Sequence, residues 1–416
     1  MSEKNTHSQP WLAEKNWQLP ITSGAKTAVR FSWIFAIIWN AVAIPVCFLV
    51  PDELAKENYL VLLVFLFPLV GIFIVRYAIK ATREWRTYGV TELSLDPFPG
   101  AIGGDVGGSI LISGHGHALT NTRVQIEQMH SYISGSGKNR SRKNTVEWEA
   151  AGPVKVVAHG IGKKLHFRFG LPDGLPISEK KSGNSYRYWQ LRLNCEGKVP
   201  LDRVFEIPVF ATKQNSQDLA VNTTQAGAEE ARNILKGAVL DPEKALVLFK
   251  KYRLTLEHRD GWLRLLFSVG RQKIMAFMLF LFGAACVGVS VFIPENDFGM
   301  IIFRLVFGLV GLPLILGSFY LPFNSLDLRI SRTQIIRERF WFGMRIKRQE
   351  VIPSQLTQIE VSKGASSTSG NKTTQYYRLI GKGSFGKIRL AEGVTDKALI
   401  TAIRNEIMGY AGLKVD

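Results

Sequence analysis

Four apolar blocks of about twenty residues, set in two close pairs, constrain this chain more than any other feature. They run from Phe31 to Val50, from Tyr59 to about Ile79, from Ile274 to Ile293 and from Met300 to Leu321. At 1.5 Å rise per residue, roughly 20 residues cross the ~30 Å of hydrocarbon in a bilayer. The spacing predicts four membrane-spanning helices in two hairpins. A buried helix of a soluble protein is the alternative for any one block, but it does not account for two pairs with short connectors.

The connectors set the orientation. Residues 51–58 carry Asp52, Glu53 and Glu57 against Lys56, and residues 294–299 carry Glu295 and Asp297 with no basic residue. The opposite ends are basic, with Lys26 and Arg30, then Arg76, Lys80, Arg83 and Arg86, then Arg271 and Lys273, then Arg329 and Arg332. Positive-inside bias therefore predicts a multi-pass protein of the cytoplasmic (inner) membrane, with both termini and every large segment in the cytoplasm. The net charge of +18, from 52 Lys+Arg and 34 Asp+Glu, would suggest nucleic acid in a soluble protein. Beside an anionic leaflet it suggests membrane lipid as the partner and no nucleic acid. Some thirty mostly polar residues precede the first block, so no cleaved signal sequence is expected.

Pro68 and Pro313 each fall in the second block of a pair, where a proline frees a backbone carbonyl and can kink a helix. That symmetry raises the alternative of a small transporter or channel subunit. Against it, no Asp, Glu, Lys or His lies in any block, and Arg304 is near enough to a block end to snorkel. The three cysteines, Cys47, Cys195 and Cys286, show no metal or disulfide spacing.

Outside the blocks the chain divides by periodicity. After a cytoplasmic segment (1–30) and the first hairpin (31–81), residues 88–212 alternate in short runs, as in 91–96, 109–112, 123–127, 165–169, 188–193 and 204–207, broken by Gly/Pro/Ser/Asn clusters. This is the pattern of an antiparallel β-sandwich. Residues 213–250 read as linker with a short helix over 226–236, and 252–269 as a β-hairpin turning at 259–261. The second membrane hairpin occupies 274–322. Residues 326–416 read as several strands closed by an amphipathic helix, capped by Thr395, with Leu399, Ile403 and Ile407 on one stripe. That small α+β arrangement resembles pleckstrin-homology-like domains, and the 252–269 hairpin could complete the same unit around the inserted hairpin.

The segments 95–104, 134–141, 148–149, 169–172, 188–193 and 205–210, with Ser268-Val-Gly-Arg-Gln272, resemble the DUF3592-type family of bacterial membrane proteins. That family is of unknown function. The resemblance, over roughly residues 30–325, implies an arrestin-like β-sandwich between two transmembrane hairpins and brings no catalytic residues.

Motifs suggestive of chemistry fail on inspection. Gly381-Lys-Gly-Ser-Phe-Gly386 fits a kinase glycine-rich loop, but the residues after it contain no catalytic Asp or metal-binding Asp motif, and a β-turn is expected. Gly135-Ser-Gly-Lys138 lacks the first glycine and the Ser/Thr of a phosphate-binding loop. His115 and His117 lack further ligands. No catalytic residue, cofactor or metal is expected, and the reading is non-enzymatic. The basic loop with Lys138, Arg140, Arg142 and Lys143 is the expected contact for lipid headgroups or an acidic protein, with a solvated tip as the alternative. Trp11, Leu12, Trp17 and Leu19 are expected along the membrane interface. Together these readings predict a membrane protein that presents cytoplasmic β-domains to a lipid or an unknown protein partner.

Overall fold

The computed structural model describes residues 9–413 apart from 13, 58, 114–118, 136, 138–139, 161, 198, 241–249, 260, 293–297 and 370–371. Two β-rich units and two helical hairpins make up the described chain. The first β unit stacks two sheets. One has the order β1 (Ile21–Thr22), β2 (Thr91–Asp96), β4 (Asp105–Ile112), β8 (Gly162–Gly170), β7 (Lys155–His159). The other has the order β10 (Leu201–Ile207), β9 (Ser185–Glu196), β5 (Thr120–Ser134), β6 (Ser141–Pro153). A short parallel pair, β3 (Gly100–Ala101) with β11 (Val209–Phe210), joins them at one side.

Alternation explains the stacking. Leu93, Ile110, Leu165, Phe167 and Phe169 of the first sheet meet Val124, Ile126, Trp189, Leu191, Leu193 and Phe205 of the second, all essentially solvent-free. Trp189 is tolerated at the centre because its indole N–H donates to the Pro176 carbonyl at 2.8 Å. A bulge in the β5–β6 pairing at Gln128/Met129 sets Met129 opposite Tyr188 and Val146, in a small apolar cluster separate from the main core.

The second unit is built around an interruption. Its five-stranded sheet runs β12 (Leu254–Arg259), β13 (Trp262–Phe267), β14 (Asn324–Ile330), β15 (Ile335–Trp341), β16 (Met344–Val351). The central neighbours β13 and β14 pair from Leu263↔Ile330 to Phe267↔Leu326, with the whole second helical hairpin between them in sequence. A three-stranded sheet, β17 (Leu356–Ser369), β18 (Lys372–Gly383) and β19 (Gly386–Val394), and a helix over Lys397–Ala411 close the core. That helix is capped by Asp396 rather than Thr395: the Asp396 carboxylate accepts from the Leu399 N–H at 3.1 Å. The helical part of 213–250 is also longer than its composition suggested, spanning Thr223–Leu240. It buries Ala231 and Leu235 in the second unit's core, and this packing supplies order that propensity alone does not.

The helices with described bounds are, in chain order, α1 (Ala25–Val46), α2 (Val50–Leu54), α3 (Leu66–Tyr88), α4 (Thr223–Leu240), α5 (Lys273–Phe292), α6 (Phe298–Phe323) and α7 (Lys397–Ala411). Among the described residues two helical stretches, not four, are by themselves long and apolar enough to cross a membrane: Ala25–Leu54 and Met300–Phe323, each with mean hydropathy 2.3. The second expected span is split into a 3-10 segment, Tyr59–Phe65, and α3, whose last turns carry Arg76, Lys80, Arg83, Glu84 and Arg86. The third block forms one continuous helix, α5, over Lys273–Phe292.

Each hairpin packs through small or polar residues. A Cβ on Gly283 would meet the Gly311 carbonyl oxygen at 3.0 Å, and one on Gly311 the Gly283 oxygen at 2.9 Å, so α5 and α6 touch backbone to backbone. In the first hairpin Asn40 abuts Gly71, and the Trp39 indole donates to the Phe67 carbonyl at 2.9 Å. Pro68 stands in the first turn of α3, at its junction with the 3-10 segment Tyr59–Phe65. Pro313 lies inside α6, which continues through it to Phe323.

The N-terminal tryptophans are not free to line a membrane interface. Trp17 is buried, both Trp11 and Trp17 pack on Phe210, and β1 adds to the sandwich edge. Leu12 and Leu19 remain exposed. Aromatic burial against the sandwich outweighs partial exposure of the same rings at a headgroup layer.

Candidate functional site: a polar joint between the two beta units

Strand alternation turns Gln125 and Glu127 of β5, Glu149 of β6, and Gln190 and Arg192 of β9 away from the sandwich core. Such a face normally meets water. Here Glu127, Glu149, Gln190 and Arg192 are all buried, because β18 of the second unit and the helix over Thr223–Leu240 pack against that sheet. Register aligns three of them across the sheet: Glu127 stands opposite Glu149 on one side and opposite Gln190 on the other.

The polar groups largely satisfy one another. Arg192 lies 3.4 Å from the Glu127 carboxylate and donates to the Thr373 carbonyl of β18 at 3.2 Å. Gln190 also donates to Glu127. Gln125 donates to Glu149 at 3.1 Å, and Tyr377 of β18 hydrogen-bonds to the same carboxyl. At one edge Arg123 bridges both units, 3.1 Å from Glu230 of α4 and 3.4 Å from the Asp396 cap. Lys363 of β17 donates to the Glu147 carbonyl at 2.8 Å. Beside this network lies a cavity of about 710 Å³, with Glu127, Glu149, Arg192, Tyr252 and Asp396 in its wall.

Burial, more than any partner, dominates the electrostatics. It pushes the Glu149 carboxyl up to about 7, and neighbouring Glu127 adds to the rise, while the Tyr377 hydroxyl and Lys397 oppose it. Burial likewise raises the phenols of Tyr377 and Tyr252. Glu149 is therefore a group that gains or loses its proton near neutrality, at the seam between two folded units.

The joint also touches the first helical hairpin. Lys80 and Glu84, in the basic extension of α3, line the cavity. Glu84 pairs with Arg203 of β10 and accepts from the Asp202 N–H at 3.2 Å. Arg203 faces inward from its strand, and burial draws its guanidinium down to about 10. The carboxylate of α3 thus meets a cation that the sandwich has buried.

The residues singled out in the sequence lie elsewhere. Arg140 and Lys143 are exposed at the β5–β6 tip. Arg142 is engaged by the fold itself: it donates to Ser131 Oγ at 3.1 Å and the Gly183 carbonyl at 3.0 Å, and sits 5.0 Å from the Tyr186 ring. Lys138, His115 and His117 lie outside the described residues. The Gly381–Gly386 motif spans the β18–β19 turn. Glu149, Glu127 and Arg192 were missed because each occupies a position that alternation assigns to solvent. The outer face of β5 and β9 carries Arg123, Gln125, Glu127, Gln190, Arg192 and Asn194, a polar pattern that a solvated face would show equally.

Among the described residues no group of three or more His, Cys, Asp or Glu side chains is placed to hold a metal ion. No family model matches the chain. No curated protein matches it. Among solved structures, the sporulation control protein Spo0M of Bacillus subtilis matches at 13% identity over 64% of this chain and 90% of that one, with a TM-score of 0.22. At that level the likeness bears on neither fold nor function.

Proposed function

We propose that this chain is a non-enzymatic integral membrane protein, anchored by four spans, that holds two β-rich units at the cytoplasmic surface for interaction with protein or lipid headgroups. One observation carries the reading: all four helices of the two hairpins leave large apolar side chains uncovered. Examples are Phe31 at 66%, Tyr77 at 62%, Phe282 at 63% and Leu309 at 76% exposure. The β units, by contrast, bury most of theirs in two cores. Core helices of a soluble protein are covered by their neighbours, whereas these faces form bands of the kind that lipid covers. The 20 residues of α5 reach 30 Å, and the 3-10 segment with the first turns of α3 reaches about as far. Basic residues at the ends nearest the β units support their cytoplasmic placement.

The sandwich, the pleckstrin-homology-like arrangement of the second unit and the likeness to DUF3592-type proteins fit a presenting scaffold. The polar joint fits it too, because it fastens the first anchor and both units to one another. The test is topology and capture. Reporter fusions within 51–57 should be active only outside the cytoplasm, and fusions at 213–222 only inside. Extraction of the intact chain by alkaline carbonate without detergent would refute the anchor. Crosslinking in cells should recover a reproducible partner, or the chain should prefer anionic over neutral vesicles; failure of both would refute the presenting role.

A further inference from the structure

Three arginines converge on one carboxylate where the second helical hairpin enters its sheet, and a fourth lies close by. Glu392 of β19 accepts from Arg339 of β15 through both oxygens, at 2.8 Å each, and from Arg389 at 3.2 Å. Arg271, just before α5, approaches to 3.8 Å. Arg337, 5% exposed, adds a further positive charge that Glu392, Arg339 and Arg389 all feel. Within this cluster one carboxylate meets three guanidinium groups, the fourth, Arg337, donates to Gln349 at 2.9 Å, and the excess charge is partly desolvated. Burial first, and Arg339 after it, lower both Arg337 and Arg271, while the arginines hold Glu392 low against its own burial.

Donors are also left over. The Nε–H groups of Arg271 and Arg337 and the indole N–H of Trp341 are buried and meet no acceptor among the described residues. Unmatched buried charge and unmade hydrogen bonds are both costly, and one ligand can relieve both: an anion with several acceptor oxygens.

The surroundings indicate where such an anion would come from. Arg271 donates to Asn324 at 2.8 Å, and these residues flank the two ends of the inserted hairpin. Arg339 donates to Tyr320, in the last turns of α6, at 3.2 Å. Beside them the β15–β16 turn carries Trp341 and Phe342. Phe342 stacks on Phe323 at 4.4 Å, and Phe342 and Met344 are 50% and 63% exposed. An aromatic and apolar tip beside the end of a span belongs at the level of the headgroups.

We propose that Arg271, Arg337, Arg339 and Arg389 form a phosphate site for the headgroup of an anionic phospholipid from the leaflet next to the second β unit. The inference rests on the reading that the second hairpin spans the membrane, and it names the lipid contact which that reading leaves open. Guanidinium forks suit phosphate oxygens, and Glu392 holds two of the forks in place until lipid arrives.

The experiment uses the full chain in detergent, relipidated with phosphatidylcholine and phosphatidylglycerol. Retained lipid is counted by native mass spectrometry. Wild type should retain phosphatidylglycerol preferentially. Arg389→Gln, at a half-exposed position that leaves the Arg339–Glu392 pair intact, should reduce that preference about fivefold, and Arg337→Gln with Arg389→Gln about thirtyfold. Arg345→Gln with Arg348→Gln removes the same charge beside Glu338, on the opposite face of the sheet, and should change nothing. Equal retention of the two lipids by wild type, or an equal loss in the control pair, would overturn the proposal. So would a rise in Tm with inorganic phosphate but no lipid preference, which would assign the site to a free anion. Carbonate extraction separates the two levels: a chain that stays in the membrane but shows no lipid preference refutes this site and leaves the anchor standing.

Discussion

Replacing Glu149 by glutamine should remove most of the pH dependence of the joint between the β units. The free carboxyl takes its proton near 4.5, and burial in the joint moves that point to about 7. Below 4.5 the group is protonated whether the joint is closed or open. Between the two values the closed joint keeps a proton that the open joint releases, so closure weakens as pH rises, and the loss is complete above 7. At 1.36 kcal/mol per unit, the wild-type joint should open more easily at pH 8 than at pH 4.5 by roughly 3 kcal/mol, about a hundredfold in the opening equilibrium. Glutamine is neutral throughout and keeps an oxygen for Gln125 or the Tyr377 hydroxyl. Glu149→Gln should therefore match wild type at pH 4.5 and exceed it by most of that amount at pH 8. Because the chain has several units, local opening is a better observable than global unfolding. Hydrogen exchange of the amides in β6 and β18, corrected for intrinsic rates, measures it. Equal slopes for wild type and variant between pH 5 and 8 would refute the burial argument, as would a wild-type joint that tightens with rising pH.

Three further outcomes are expected. Glu84→Leu leaves Arg203 buried and unpaired, which should cost roughly 3–5 kcal/mol in chemical denaturation of the sandwich, and Glu84→Leu with Arg203→Leu should recover most of it. Gly311→Val places a side chain against the Gly283 oxygen and the Val287 N–H, each 2.9 Å from a new Cβ; it should separate α5 from α6 and lower Tm in detergent by an amount equivalent to ~1–3 kcal/mol. Trp17→Ala empties the contact on Phe210, should cost ~3–5 kcal/mol of the docking of residues 10–22, and should expose that segment to limited proteolysis.

What was legible in the sequence had a period. The sandwich strands alternate, and so Leu93, Phe167, Phe169 and Trp189 turn inward together. Hydropathy marked the four blocks but not how they fold locally: the second block splits at Phe65/Leu66, and its helix runs on through Lys80 and Glu84 because Arg203 of the sandwich receives it there. The joint was not legible for the same reason the sandwich was. Alternation assigns Glu127, Glu149 and Arg192 to the outside of their strands, and nothing in their spacing says that another unit covers that outside. The arginine cluster draws on positions 271, 337, 339 and 389, which only the pairing of β13 with β14 and the packing of the two sheets bring together. Trp17 looked interfacial because an amphipathic aromatic fits a headgroup layer as well as a sheet edge, and only tertiary packing chose between them.

The interrupted sheet has a consequence for biogenesis. During synthesis β12 and β13 emerge first, with the edge of β13 unpaired, and its partner β14 follows only after the whole of α5 and α6. If the hairpin enters the bilayer and returns, β14 arrives on the same side, in register from Leu326 to Ile330. If only one span enters, everything from β14 onward is delivered to the opposite side of the membrane, and neither half of the core can form. If the second hairpin spans a membrane as proposed, completion of this sheet would require both of its helices to insert, and a chain with the wrong topology would be left with an exposed strand edge.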